Sequence, residues 1–388
     1  MKELSKNNRG ITLVALVITI IILLILATIS IQSLTNTGLF KNAQKAKDET
    51  QNASENQAKT LNEYEDELNK YISGTPTTPP APQVKKVADN IGSVLNATDN
   101  TELQDAYGNK IVVPAGFKIV SDSTTNNVTT VDKGIVIEDV TVDSEGKATA
   151  TAGSQFVWIP VGKIYTDVAK TDAKAKTIEL DRYTFDENGK PTAQGEKVVE
   201  TYYSEIASKG NMVAKDINAF KTSATTNGGY YIGRYEARQR NGKITVTKND
   251  TVWYNITQPD AATQARNMYQ NDTKFTSDLI NSYAWDTATL FLQTCGTNSK
   301  YSRKNSLNTS LSTTGTTNDI QCNVYDMASN VTEWTTETCN GSYGPCVARG
   351  GYYYSRDYYP SLRNNATNLY SGNTSNGFRP LLYVGLNS

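Results

Sequence analysis

Ile11 to Ile31 form an unbroken, uncharged and mainly apolar run, ITLVALVITIIILLILATISI, behind a short polar leader. A helix of that length reaches roughly 31 Å, about the thickness of a bilayer's hydrocarbon core, so the pattern predicts a transmembrane helix over 11–33. Lys2, Lys6 and Arg9 outweigh Glu3 in the leader. Basic residues favour the cytoplasmic side, which places the leader inside and everything after Ser33 outside. A removed signal peptide is an alternative, but its apolar core is usually only about 7–15 residues long before a small-x-small site. Here Thr28-Ile29-Ser30 is a poor match to such a site. After Gly38, Leu61, Tyr64, Leu68 and Ile72 recur every three or four residues on an otherwise polar background. One narrow apolar stripe of this kind predicts a stalk or spacer helix over 34–73.

The pattern then changes twice. Gly74 to Pro82, GTPTTPPAP, lies in an expected linker over 74–84. Proline donates no amide hydrogen bond and fixes φ, so this segment ends the helix and extends at about 3.1 Å per residue. From 85 to 153 short alternating stretches such as Lys118-Ile119-Val120 and Gly134-Ile135-Val136-Ile137 stand between turn residues and predict a β-rich lead-in. From 154 to 388, Gln155–Val161 reads as a buried strand, Gly229–Glu236 as a strand with an amphipathic face, and Ser282–Ala288 as helix. The fold class expected is α+β: a membrane and stalk helix, a Pro-rich linker, and a distal domain of short strands and much irregular structure.

Charge narrows the chemistry. The chain holds 38 Lys and Arg against 39 Asp and Glu, without basic stripes, so it lacks the electrostatic footprint of nucleic-acid binding. It contains no histidine. That excludes Ser-His-Asp and Cys-His catalysis, histidine zinc sites and the usual near-neutral general base. The four cysteines, Cys295, Cys322, Cys339 and Cys346, include no Cys-x-x-Cys pair. Outside the membrane an even count suggests two disulfides, for which three connectivities exist. The turn-rich segment 340–345 favours Cys339 with Cys346, leaving Cys295 for Cys322; four reduced, buried thiols are the alternative.

A basic leader ending in Gly10, followed by Ile11-Thr12-Leu13-Val14, resembles the processing signal of type IV pilins and pseudopilins. The resemblance implies cutting after Gly10 by a prepilin peptidase and methylation of the new amino group on Ile11. It further implies a bacterial cytoplasmic-membrane protein with its C-terminus outside, whose partners are the bilayer, the peptidase and pilus or pseudopilus subunits. The chain departs from the pilin pattern at Ile11, where Phe is usual, and at Ala15, where Glu is usual. In a filament core that Glu pairs with a neighbour's terminal amine, an ion pair valuable in lipid. Its loss points to a minor or tip subunit over a bulk one. A plain uncleaved anchor is the other reading of this segment.

Between Ser154 and Val384, the block NVYDMASNVTEW at 323–334, then Arg349-Gly350-Gly351 and Gly377-Phe378-Arg379-Pro380, follow in order. Together they resemble the formylglycine-generating enzyme, or sulfatase-modifying factor, domain, whose fold is of the C-type-lectin kind. Active members of that family carry two cysteines shortly after the paired glycines, and these bind copper(I), a soft metal suited to thiolate. Ser355, Asp357 and Pro360 stand in that stretch and no cysteine follows Cys346. Hydroxyl and proline cannot replace thiolate, so the domain is expected to be non-catalytic. Relatives also use the 323–334 region for calcium, so Asn330 and Glu333 are candidate ligands; a hydrogen-bonded structural knot is the alternative. No other cofactor is expected. Independently of the resemblance, Met327 and Trp334 suit a core, Gly350 and Gly351 suit close backbone approach, and Arg349 and Arg379 suit forked bonds that lock loops.

One segment is left without a structural role. Tyr352, Tyr353, Tyr354, Ser355, Asp357, Tyr358 and Tyr359, then Asn364, Asn365, Asn368, Tyr370 and Asn373, give it the composition of a binding loop. Tyrosine supplies stiff amphipathic area and Ser and Asn supply adaptable hydrogen bonds. The expected ligand is an extracellular protein or glycan, and the expected role is an adhesin. Some of these tyrosines would instead wedge the loops together. The composition and its place before Gly377-Phe378-Arg379 also resemble the variable proteins of diversity-generating retroelements. Two rival functions are a structural pseudopilin of secretion or DNA uptake and, against the missing cysteines, an oxidase. Replacing Gly10 by Ala should leave the leader attached, read as an intact amino terminus by mass spectrometry; unchanged processing would contradict cleavage at this position.

Overall fold

The computed structural model describes Ile20–Leu24, Lys47, Glu65 and residues 84–388, except 97, 121–127, 143–147, 197–201, 204–213, 241, 306–309, 340–345, 365–375 and 386–388. The chain divides into two compact units, Met1–Gln83 and Val84–Ser388. In the first unit the described residues are helical. Among the described residues no helix is long and apolar enough to cross a membrane. The leader with Gly10 and Ile11, most of the span expected over 11–33, the apolar stripe of the stalk and the linker up to Gln83 lie outside them.

The second unit is mixed α+β, rich in strands and poor in helices. Its principal elements are β1 (Phe117–Ile119), β2 (Val136–Val142), β3 (Ala148–Pro160), β4 (Tyr202–Tyr203), α1 (Ile217–Asn227), β5 (Gly229–Gly233), α2 (Gln258–Asn267), β6 (Phe275–Leu279), α3 (Ser282–Cys295), β7 (Thr332–Cys339), β8 (Cys346–Arg349), β9 (Asn376–Phe378) and β10 (Pro380–Val384). Six strands form an antiparallel sheet in the order β6-β10-β5-β3-β2-β1. In a second sheet β7 pairs antiparallel with β4 and β8 and parallel with β9. Because β3 runs through position 154, the lead-in and the distal part share one sheet.

Local sequence explains the helix boundaries. Asp216, Thr257 and Asn281 each accept a hydrogen bond from a first-turn amide and so cap α1, α2 and α3. Gly228 ends α1 at φ +74°, a conformation that glycine adopts without strain.

The amphipathic face expected for 229–236 is absent, since every residue of β5 is buried. The reason is that both faces are covered. The Tyr230 ring lies 5.2 Å from Phe220 of α1, and its hydroxyl donates to Ala284 O of α3 at 2.6 Å. Tyr231 on the other face stacks edge-on with Trp158 at 4.9 Å and donates to Val112 O at 2.9 Å. A strand covered on both sides loses its alternation. Helix α3 is likewise buried from Ser282 to Gln293, so it is a core helix and not a surface one.

Arg379 locks the end of the chain between the two sheets. Its guanidinium donates to both carboxylate oxygens of Glu333 on β7, at 3.0 and 2.7 Å. It also donates to Gly233 O at 2.6 Å and to Tyr325 O at 2.8 Å. The planar fork suits this task because four bonds leave one fully buried side chain in fixed directions. This is the locking role that the sequence suggested for Arg379.

A second buried polar group carries a pH signature. Asp139 accepts from Ser154 N at 2.7 Å and from the Tyr269 hydroxyl at 2.7 Å. Burial nevertheless pushes its carboxyl up from 3.8 to about 6. With the folded value above the unfolded one, the protonated group favours folding. That stabilisation is complete below the unfolded value and is lost as pH rises through about 6. Chemical denaturation of parent and Asp139→Asn should therefore shift in the parent's relative favour by about 2 kcal/mol as pH falls from about 7.5 to about 4.5. A constant difference across that range would contradict the assignment.

Candidate ligand-binding surface

Residues 350–364 form a surface loop whose two ends are nailed to the core. It starts at Gly350, with φ +94°, and Gly351. A Cβ on Gly351 would sit 2.1 Å from the backbone of Ala328, so only glycine lets these two main chains touch. The contact is made by Gly351 N donating to Met327 O at 3.0 Å and Tyr353 N donating to Asn330 O at 2.9 Å. At the far end Asn364 pairs through its backbone with Ala348 of β8, at 2.9 Å in both directions.

Two arginines brace the same ends from below. Arg349 donates to Asp286 of α3 at 2.5 Å and to Glu337 of β7 at 3.1 Å. Arg363 donates to Glu337 at 2.7 Å and to the second oxygen of Asp286. Two cations and two carboxylates thus close a ring with no net charge, and Arg349, Asp286 and Glu337 are fully buried. Backbone groups take most of what remains. Arg349 Nε donates to Leu362 O at 2.8 Å, Arg363 donates to Tyr183 O at 3.1 Å, and Asp286 accepts from Tyr183 N at 2.9 Å. Buried ions hold only when their hydrogen-bonding capacity is met in this way.

Between the braces the loop turns over on itself. Ser355 N donates to Tyr352 O at 3.2 Å, and Asp357 N donates to the Ser355 hydroxyl at 3.2 Å. This tight turn gathers four tyrosine rings, packed edge to face except for the tilted Tyr352–Tyr354 pair. Tyr352 lies 4.9 Å from Tyr353, 6.4 Å from Tyr354 and 5.5 Å from Tyr358, and Tyr353 lies 6.2 Å from Tyr354. Tyr354 is 80% exposed, while Tyr352, Tyr353 and Tyr358 are half-buried. Loss of solvent raises the Tyr353 hydroxyl above its ordinary value, followed by Tyr352 and by Tyr254 from a distant part of the chain.

The tyrosines divide by role. The half-buried Tyr359 carries the Arg303 guanidinium 3.9 Å from the centre of its ring. Trp285 of α3 donates to Pro360 O at 2.8 Å, and Ser361 donates twice to Ser302 O, at 3.1 and 2.8 Å. Tyr359 therefore wedges the loop, the structural role expected for some of these residues. Tyr358 accepts from Asn364 Nδ2 at 3.1 Å, which orients the Asn364 side chain. Tyr353, Tyr354, Ser355 and Asp357 are left on the outer side, together with exposed Arg356. Asn365, Asn368, Tyr370 and Asn373 lie outside the described residues. Arg356 belongs to the Tyr-rich segment that the sequence singles out, whereas nothing in the chain signals that Tyr254 acts electrostatically on Tyr353, about a hundred residues later.

The side chains expected as calcium ligands are engaged by protein. Asn330, at φ +62°, donates to Glu236 at 2.5 Å and accepts from Ser312 N at 2.9 Å, and Glu333 is spent on Arg379. Among the described residues no group of three or more His, Cys, Asp or Glu is arranged to hold a metal. In this arrangement Asn330 and Glu333 bond to protein groups, the hydrogen-bonded state weighed beside calcium. Burial, then Asp326 and Glu333, push the Glu236 carboxyl well above its ordinary value.

No copper(I) site fits this loop either, since Ser355, Asp357 and Pro360 stand where thiolates would be needed. Cys295 and Cys322 carry thiols, so the expected link between them is not made in this structure. Burial pushes Cys295 up to about 12, and burial followed by the neighbouring Cys295 raises Cys322 further. Both are held protonated, the reverse of an activated thiolate. Cys339 and Cys346 are buried on the paired strands β7 and β8, where Thr338 stands opposite Cys346.

Comparison with known proteins found no family model, no curated protein and no solved structure that matches this chain.

Removing one member of the ionic ring should leave buried charge uncompensated. Asp286→Ala is expected to lower the unfolding free energy by about 3–5 kcal/mol in chemical denaturation. Exchanging Arg349, Arg363, Asp286 and Glu337 together for apolar residues should restore most of that loss. A cost below about 1 kcal/mol for Asp286→Ala would contradict the ring's role.

Proposed function

We propose that this chain is a membrane-inserted, pilin-like minor or tip subunit that displays a non-catalytic, ligand-binding domain outside the cell. The observation that carries the reading is the outer side of the 350–364 loop. Tyr353 and Tyr354 stand out from a turn whose ends are fixed by backbone contacts and by the Arg349–Arg363 ring. Binding loops gain affinity when large, stiff side chains are held in place beforehand, because less freedom is lost on contact. Arg356 and Asp357 add one charge of each sign beside the rings, which suits a ligand without strong net charge.

The order of blocks from 323 to 380 supports a domain of the formylglycine-generating-enzyme kind, with a C-type-lectin-like fold. The loop after Gly351 then takes the place where the oxidase carries its metal ligands, and here it offers aromatic surface. The leader grammar at Gly10 and Ile11 supports export and presentation on a stalk.

Cells displaying the full chain should attach to at least one member of a panel of immobilised extracellular proteins and glycans. Tyr353→Ala with Tyr354→Ala should reduce that attachment at least tenfold, with display level and thermal midpoint unchanged. Attachment that depends on the chain yet ignores this double substitution would discard the loop as the binding site. Copper(I)-dependent oxidation of a cysteine-bearing peptide by the purified chain would discard the non-catalytic reading.

A further inference from the structure

A cleft of about 630 Å³ opens elsewhere on the second unit, between Gly242, Lys243 and Ile244 on one side and the carboxyl end of α2 with the segment that follows it on the other. Its volume lies within the range of about 300–1,000 Å³ usual for small-ligand sites. The floor is rigid. Tyr269 is held by its hydroxyl on Asp139 at 2.7 Å, and its ring packs edge-on against Phe117 and Phe275 at 5.7 and 5.3 Å. Ile244 and Met268 add apolar surface from either side.

The rim is of another kind. Gln264, Asn267, Gln270 and Asn271 all line the cleft, and Asn267, Gln270 and Asn271 are exposed. Among the described residues, none of the four side-chain amides meets a protein partner, whereas buried carboxamides such as Asn330 and Gln293 both donate and accept within the protein. Each carboxamide offers two donors and an acceptor of two bonds. Four of them around an apolar floor make a surface that can both give and take hydrogen bonds at several points, with no preference for charge. The two ionic groups of the lining, Lys243 and Asp272, cancel.

From these features we infer that the cleft is a second binding site, and that its ligand is a short, neutral, polyhydroxylated chain, an oligosaccharide. Hydroxyl groups alternate as donors and acceptors as carboxamides do, and the C–H faces of sugar rings suit the Tyr269, Met268 and Ile244 floor. A phosphorylated or sulfated ligand would meet Lys243 together with Asp272, and so no net positive charge. A peptide is recognised chiefly through an open strand edge or deep apolar pockets, and the rim consists of side-chain amides instead. The site shares no residue with the tyrosine loop, so its fate is independent of that reading.

Saturation-transfer NMR on the full chain in lipid nanodiscs tests this, with maltotetraose and the tetramer of N-acetylglucosamine as probes. A sulfated disaccharide and a neutral glycine-serine octapeptide serve as comparators. At least one neutral tetrasaccharide should receive saturable transfer. Asn267→Ala with Gln270→Ala should reduce it at least fivefold without moving the thermal midpoint, Asn271→Ala should reduce it less, and Tyr353→Ala with Tyr354→Ala should leave it unchanged. No transfer to either tetrasaccharide, transfer that survives the double amide substitution, or transfer to the sulfated sugar or the peptide alone would overturn the proposal.

Discussion

The ring of Arg349, Asp286, Arg363 and Glu337 ties together four parts of the second unit: α3, the paired strands β7 and β8, and the return of the surface loop. Its constraint is one of mutual need. Each carboxylate is buried beyond the reach of water and depends on both guanidiniums, so no member can leave without stranding the others. The loop that starts one residue after Arg349 and ends one residue after Arg363 therefore has both feet fixed by the same four charges. Trp285, one residue before Asp286 on α3, ties the middle of that loop down through Pro360 O.

Arg379 repeats the device where the two sheets meet, with Glu333 as its carboxylate and two carbonyls as further acceptors. The two arginine systems organise a domain in which short strands and long irregular segments leave much backbone without a ladder partner. Fixing such segments by forked, directional bonds leaves the exterior free to vary, and Tyr353, Tyr354 and Arg356 occupy that exterior.

Much of this was legible from the chain because the relevant constraints are local. The apolar run Phe156–Pro160 lies in a central strand, and Ser282–Ala288 opens α3. The paired glycines at 350 and 351 make the close contact with Met327 and Ala328 that their small size permits. The locking roles of Arg349 and Arg379 follow from guanidinium chemistry. Their partners were hidden, because Asp286, Glu337 and Arg363 are brought to Arg349 by topology and carry no spacing signal. The amphipathic face expected for 229–236 failed for a related reason: a sequence does not say how many layers will cover a strand. The partners of Asn330 and Glu333, namely Glu236, Ser312 and Arg379, are likewise distant in sequence and carry no spacing signal. The amide-lined cleft was invisible because its two walls lie on separate elements, α2 with its following turn and the hairpin at 238–245.

The central claim is that the tyrosine loop is a prearranged platform held by the ionic ring. Amide hydrogen exchange on the full chain reads this directly, comparing the parent with Arg363→Met. The parent should protect the amides of Gly351, Tyr353 and Ser361, and the substitution should abolish that protection while β3 and β5 keep theirs. Rapid exchange of these amides in the parent, or protection that persists without Arg363, would contradict the account.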